Sequence, residues 1–251
     1  MISFSSILPA LALLFGIIVS IYLLVVWFHH GRRPHFLLFW AIALFLFFWF
    51  QVPVILNNFG KVITVTDFNL FFALTFPITF LALVLIYTGA VQVTGLYLSN
   101  KSKKLFTIWV VVAVAFFSYH FIAQKGIIQT YSLPLVGNLL FYIPIRSLII
   151  SKLFAWLFLY DGKKPTGALL GGLFIIAEST IGIVRNVLVV KNVLTYPPEF
   201  WYIVLSGLKI FFVLQTTSVI LLAAGFFLLH RMYYGSVLWL SRKDPKNPPA
   251  L

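Results

Sequence analysis

The residues of this chain able to do chemistry are a glutamate and a few basic side chains set inside otherwise apolar runs. Glu178 is the one acid the sequence places at membrane depth, in TGALLGGLFIIAESTIGIVRNVL, Thr166 to Leu188. Gly171, Glu178 and Arg185 recur every seven residues, with Ile175 and Gly182 between them, so on a helix these five share one face. A charge in hydrocarbon is costly and is normally turned toward protein or a cavity, so this face is expected to look inward. Arg146 and Lys209 stand in the neighbouring apolar runs. At 1.5 Å per residue, they and Glu178 come to one level, ~12 to 15 Å below the outer surface. Tyr142 shares a stripe with Arg146, and Ser206, Lys209, Val213 and Thr216 form another. His120 and Arg185 lie nearer the outer ends of their runs. These residues predict a polar pocket open to the outside among spans four to seven. Its positive balance suits an anionic small molecule or lipid headgroup. The alternative is that Glu178 pairs with Arg146 or Lys209 as a purely structural ion pair. Arg185 is expected to reach the outer surface by extending its chain. Lys152, about 120° round the helix from Arg146, is expected to reach inward or to pair elsewhere.

The elements that must position these groups are membrane spans. Of 251 residues, 62% are hydrophobic and 9% charged, with a mean hydropathy of +1.05, which excludes a soluble domain. Apolar runs of spanning length are Leu8 to Phe28, His35 to Leu56, Phe68 to Leu98, Leu105 to Ala123, Asn138 to Tyr160, Thr166 to Leu188 and Phe200 to His230. The fold class expected is therefore all-α, a polytopic membrane protein of seven transmembrane helices. Residues 1–234 form the bundle, and 235–251 form a basic interfacial or disordered cytoplasmic tail. The first run lacks a basic leader and a cleavage site, so it reads as a retained helix. Pro53, Pro77 and Pro144 fall inside spans and are expected to kink them.

Basic residues in the loops set the orientation. Arg32, Arg33, Lys101, Lys103, Lys104, Lys163, Lys164, Arg231, Arg242, Lys243 and Lys246 fall after spans one, three, five and seven. Only Lys61, Lys125 and Lys191 fall in the other connections. An outside N-terminus and a cytoplasmic C-terminus follow; the membrane expected is the inner (plasma) membrane of a prokaryotic cell. The net charge of +13 thus reports topology, and no nucleic-acid partner is expected.

The chain has no cysteine, which removes thiolate chemistry and disulfides. His29, His30 and His35 sit in a basic loop without an acid and read as a solvated cluster, with no metal and no cofactor expected. There is no paired carboxylate, no phosphate loop and no nucleophile elbow, so the chain reads as a non-enzyme. Ser179, next to Glu178 in sequence, is expected on a different face. Gly167 and Gly171 form a GxxxG that predicts tight packing within the bundle.

Seven spans with a lysine in the last invite comparison with microbial rhodopsins. Their pattern needs a carboxylate on the third helix, where this chain has only Asp67 at the mouth of the span. HFLLFWAIALFLFFWF in span two, followed by a third span with a proline and FLALVLIYTG, resembles the seven-helix N-terminal sensor region of bacterial histidine kinases. Tyr87, Thr88 and Gly89 are similar to the tyrosine-threonine-glycine that often closes that helix. The resemblance covers spans two and three and implies a membrane sensory module with an outward-facing site. A chain ending soon after span seven would then act through a separate cytoplasmic signalling partner. The function expected is a receptor-like, ligand-binding module in contact with membrane lipid. The alternatives are a small transporter or proton-coupled permease, and a structural subunit of a membrane complex.

Overall fold

A computed structural model describes residues 4–29, 34–48, 65–123, 132–159, 166–196 and 209–243. All regular structure among them is helical, and no strand occurs among the described residues. We number the helices α1 (Phe4–His29), α2 (His35–Phe48), α3 (Val65–Thr94), α4 (Asn100–Ala123), α5 (Ser132–Leu159), α6 (Thr166–Thr195) and α7 (Lys209–Lys243). Six of these, all but α2, contain stretches long and apolar enough to cross a membrane. The described apolar stretch of α2, His35–Phe47, is shorter. Its expected continuation to Leu56, with Gln51 and Pro53, lies outside the described residues.

Several boundaries differ from the sequence expectation, each for a local reason. The helix α4 starts at Asn100, before Leu105, because the Ser99 hydroxyl accepts the Ser102 backbone N–H at 3.2 Å and caps the first turn. Ahead of it α3 ends at Thr94, where Gly95 adopts φ +68°, the left-handed conformation that closes helices. Leu96 to Leu98, expected inside the third span, are therefore non-helical. The helix α5 begins at Ser132, inside the expected loop. Pro134 there sits in the first turn, where a missing N–H costs nothing. The helix α6 continues past Leu188 to Thr195, because Val189, Asn192 and Val193 extend its buried face at helical spacing while Lys191 points out. The last helix runs unbroken from Lys209 to Lys243, so residues 235–243 are helical. Residues 244–251 and 197–208 lie outside the described residues.

Helix neighbours form a closed circuit, α1 on α2, α2 on α3, α3 on α5, α5 on α6, α6 on α7 and α7 back on α1. The fourth helix stands outside this circuit, against α3 and the start of α5, and most of its surface is apolar and exposed. It is seated by aromatic side chains. Trp109 and Phe117 pack on Phe80 and Phe141, and the Trp109 indole N–H donates to the Leu140 carbonyl at 3.2 Å. That carbonyl is four residues before Pro144, which has no N–H to offer it.

In lipid there is no hydrophobic drive between helices, so close fit and polar contacts hold the circuit together. Gly171 and Gly225 supply the closest approach of α6 and α7: a Cβ on Gly171 would lie 3.0 Å from the Gly225 carbonyl oxygen, and the reverse distance is also 3.0 Å. Gly172 faces Leu157 of α5 in the same way. The fully buried Trp40 of α2 lies flat on Phe226 of α7, with centroids 4.4 Å apart and planes 2° apart. Its indole N–H donates to the Ile86 carbonyl of α3 at 3.3 Å, and Gly89 leaves the space it fills. Ser20 of α1 donates to the Ala41 carbonyl of α2 at 2.7 Å. Substituting Gly171→Val should force α6 and α7 apart and cost about 1–3 kcal/mol. In a detergent melting experiment its midpoint should fall clearly, while Leu173→Val on the exposed face should stay near wild type.

Candidate functional site

Where α5, α6 and α7 meet, their buried faces carry polar groups. The inward face of α6 includes Gly171, Ile175, Glu178, Gly182 and Arg185, and adds Ser179, Asn186 and Asn192. Glu178 is 0% exposed and Arg146 2%. The Arg146 Nη1 donates to Glu178 Oε1 at 2.7 Å, the one ion pair among the described residues. Ser218 of α7 donates its hydroxyl to the same oxygen at 2.7 Å. Ser179 donates to Oε2 at 3.2 Å. One carboxylate therefore joins three helices.

The arginine fits because Gly182 stands opposite it. A Cβ at that position would overlap the guanidinium, so the glycine is the slot that admits the charge between α5 and α6. Phe47 of α2 covers the other side, with its ring centroid 5.8 Å from Cζ. Upstream, α5 is π-helical over Gly137–Tyr142. Tyr142 ends that turn, is buried, and donates its hydroxyl to the Phe76 carbonyl, one residue before Pro77 in α3. Arg185 is 6% exposed and interacts electrostatically with Arg146, Glu178 and Tyr142. It therefore packs inside the bundle, contrary to the expectation that it reaches the outer surface.

The other sequence candidates are placed as follows. Lys152 donates to the Leu96 carbonyl at 3.1 Å, tying α5 to the turn after α3. His120 is buried on α4 within 3.4 Å of the Ser132 hydroxyl, in a separate contact at the start of α5. Thr216 is buried on α7, on the line through Val219, Ala223 and Phe226 that meets Trp40. Lys209 begins α7, and its side chain lies outside the described residues, as does Ser206 altogether. Val213, on the stripe assigned to Lys209, is 53% exposed, so that stripe does not face inward throughout. The line that faces α6 is instead Gln215, Ser218, Leu222, Gly225 and Leu229. Ser218, Gln215, Ser179 and Asn186 were not assigned from sequence; the polar run QTTS within an apolar span was the available signal. Ser179, expected on a different face, reaches the carboxylate after all, and both residues are fully buried. The His29 Nδ1–H donates locally to the Val25 carbonyl at 2.8 Å, and no group of metal-ligating side chains occurs among the described residues.

Comparison with protein-family models, with curated proteins and with solved structures finds no match.

Removing one partner of a buried ion pair leaves the other charge uncompensated, at a cost of about 3–5 kcal/mol. Glu178→Gln should therefore lower the melting midpoint more than Ser218→Ala, which removes one hydrogen bond to a charged group worth about 1.5–3 kcal/mol. Gly182→Ala should approach the effect of Glu178→Gln although it adds one methyl group, because the methyl occupies the arginine's slot. A Gly182→Ala midpoint equal to wild type would show that Arg146 does not depend on that slot.

Proposed function

We propose that this chain is a seven-span protein of a prokaryotic inner membrane, N-terminus outside and C-terminus cytoplasmic, acting as a receptor-like module for an anionic ligand. Six apolar helices support a multi-pass membrane protein. The seventh span of the proposal is α2 together with the apolar residues that follow it in sequence. The orientation rests on the basic residues of the loops.

The observation that carries the functional reading is that a single carboxylate of α6 holds α7 through Ser218 and α5 through Arg146, a cation that an incoming anion would compete for. An anion drawing on Arg146 loosens its hold on Glu178, and Glu178 also holds Ser218 of α7. A ligand that binds the rearranged packing more tightly than the resting one shifts the balance between the two. The change reaches the cytoplasmic side through α7, which continues without a break to Lys243. A separate cytoplasmic signalling partner would read it there, in keeping with the resemblance to kinase sensor regions. Lipid covers the exposed apolar faces of α1 and α4.

The cysteine-free chain makes the topology directly testable. In intact cells a membrane-impermeant thiol reagent should label Lys191→Cys, and it should label Lys103→Cys only after lysis; the reverse pattern would invert the orientation. For the ligand class, the melting midpoint of the purified protein should rise with acetate, inorganic phosphate or phosphatidylglycerol. Binding at a hundredfold excess over Kd stabilises by about 2.7 kcal/mol, well within reach of the measurement. A midpoint unmoved by all three would contradict the reading.

A further inference from the structure

Glu178 satisfies Nη1 of Arg146, and other buried polar atoms of α5, α6 and α7 share one property. Arg146 Nε, Asn186 Nδ2 and Gln215 Nε2 are buried and have no hydrogen-bond acceptor. All three are donors. Asn186 is 7% exposed and Gln215 3%, so water outside the protein does not serve them. An unsatisfied buried donor costs about 1–3 kcal/mol, and native proteins rarely keep several together without a purpose.

Helix register brings the three to one place. The helices α6 and α7 are antiparallel, with Gly171 against Gly225 and Glu178 bonded to Ser218. One turn further along, Gly182 comes opposite Gln215. Gly182 is also where the Arg146 guanidinium lies. On the α5 side, Leu157 meets Gly172 and Arg146 meets Gly182, so the next turn sets Tyr142 opposite Asn186. The donors therefore fall within about one helical turn, ~6 Å along α6, beside Arg185. The Tyr142 hydroxyl is committed to the Phe76 carbonyl. The π-helical turn of α5 ends at the same level.

We infer that Asn186, Gln215 and the Nε edge of Arg146 form a binding site for an oxyanion, a carboxylate or phosphate, with Arg185 as the neighbouring positive charge. The inference deepens the receptor reading and rests on it: it names the groups that grip the ligand, of which Arg146 also belongs to the ion pair that responds. Three donors converging from α5, α6 and α7 match an acceptor with several lone pairs. The same chemistry is presented by a free anion and by a lipid headgroup.

The test replaces the amides by apolar side chains of similar size, Gln215→Met and Asn186→Leu, in the full chain. Melting midpoints are read in detergent with inorganic phosphate or acetate, and in nanodiscs of phosphatidylcholine with or without phosphatidylglycerol. The site predicts two opposite effects in each variant. Without anion the midpoint equals or exceeds wild type, since an unserved donor is gone. With anion the half-saturating concentration rises ~10-fold or more, the loss of one hydrogen bond to a charged group. A response to phosphate or acetate in detergent marks a free anion as the ligand; a response confined to phosphatidylglycerol discs marks a headgroup. A wild-type response that both variants retain unchanged overturns this site and leaves the receptor reading standing. No wild-type response to any probe overturns both. Variants less stable than wild type, and equally so with every probe, would mean that the amides serve structural water only, which also overturns the site.

Discussion

The packing of this bundle depends on one carboxylate. Glu178 cannot face lipid, and inside the protein it is tolerable only because Arg146, Ser218 and Ser179 all donate to it. Each donor dictates something else. The arginine needs a helix with no side chain opposite, hence Gly182. The serine of α7 needs that helix close and in register, hence the glycine contact between Gly171 and Gly225 about two turns away. The requirements of one charge thus propagate along α5, α6 and α7.

Elsewhere the structure relies on a different device, polar side chains that serve backbone carbonyls between helices. Ser20 on Ala41, Trp40 on Ile86, Trp109 on Leu140, Tyr142 on Phe76 and Lys152 on Leu96 all act this way. These contacts use neither Glu178 nor Arg146, and Trp40 extends them to α7 by stacking on Phe226.

Much of this was legible in the chain. The spacing of Gly171, Ile175, Glu178, Gly182 and Arg185 marked the inward face of α6, and counting residues from the span ends brought Arg146 to the level of Glu178. The face of α7 was less legible, because Lys209 drew the register toward Val213, whereas the contact to α6 runs through Gln215 and Ser218. Hydropathy could not show that α4 is peripheral, since lipid and protein interior favour the same apolar side chains. Nor could it show that α6 extends past Leu188: Lys191 and Asn192 look like loop residues until one sees that Asn192 packs inward and Lys191 outward. The π-helical turn of α5 has no periodicity of its own to betray it.

The central claim is that Arg146 and Glu178 are energetically coupled. A double-mutant cycle measures this, using the unfolding free energies of wild type, Arg146→Gln, Glu178→Gln and the double variant in one detergent. Contacting residues in a shared network show interaction energies of about 0.5–3 kcal/mol, and a buried charged pair belongs in the upper part of that range. The account predicts that the double variant loses less stability than the two single losses combined, by at least about 1 kcal/mol. Strict additivity of the two substitutions would contradict it.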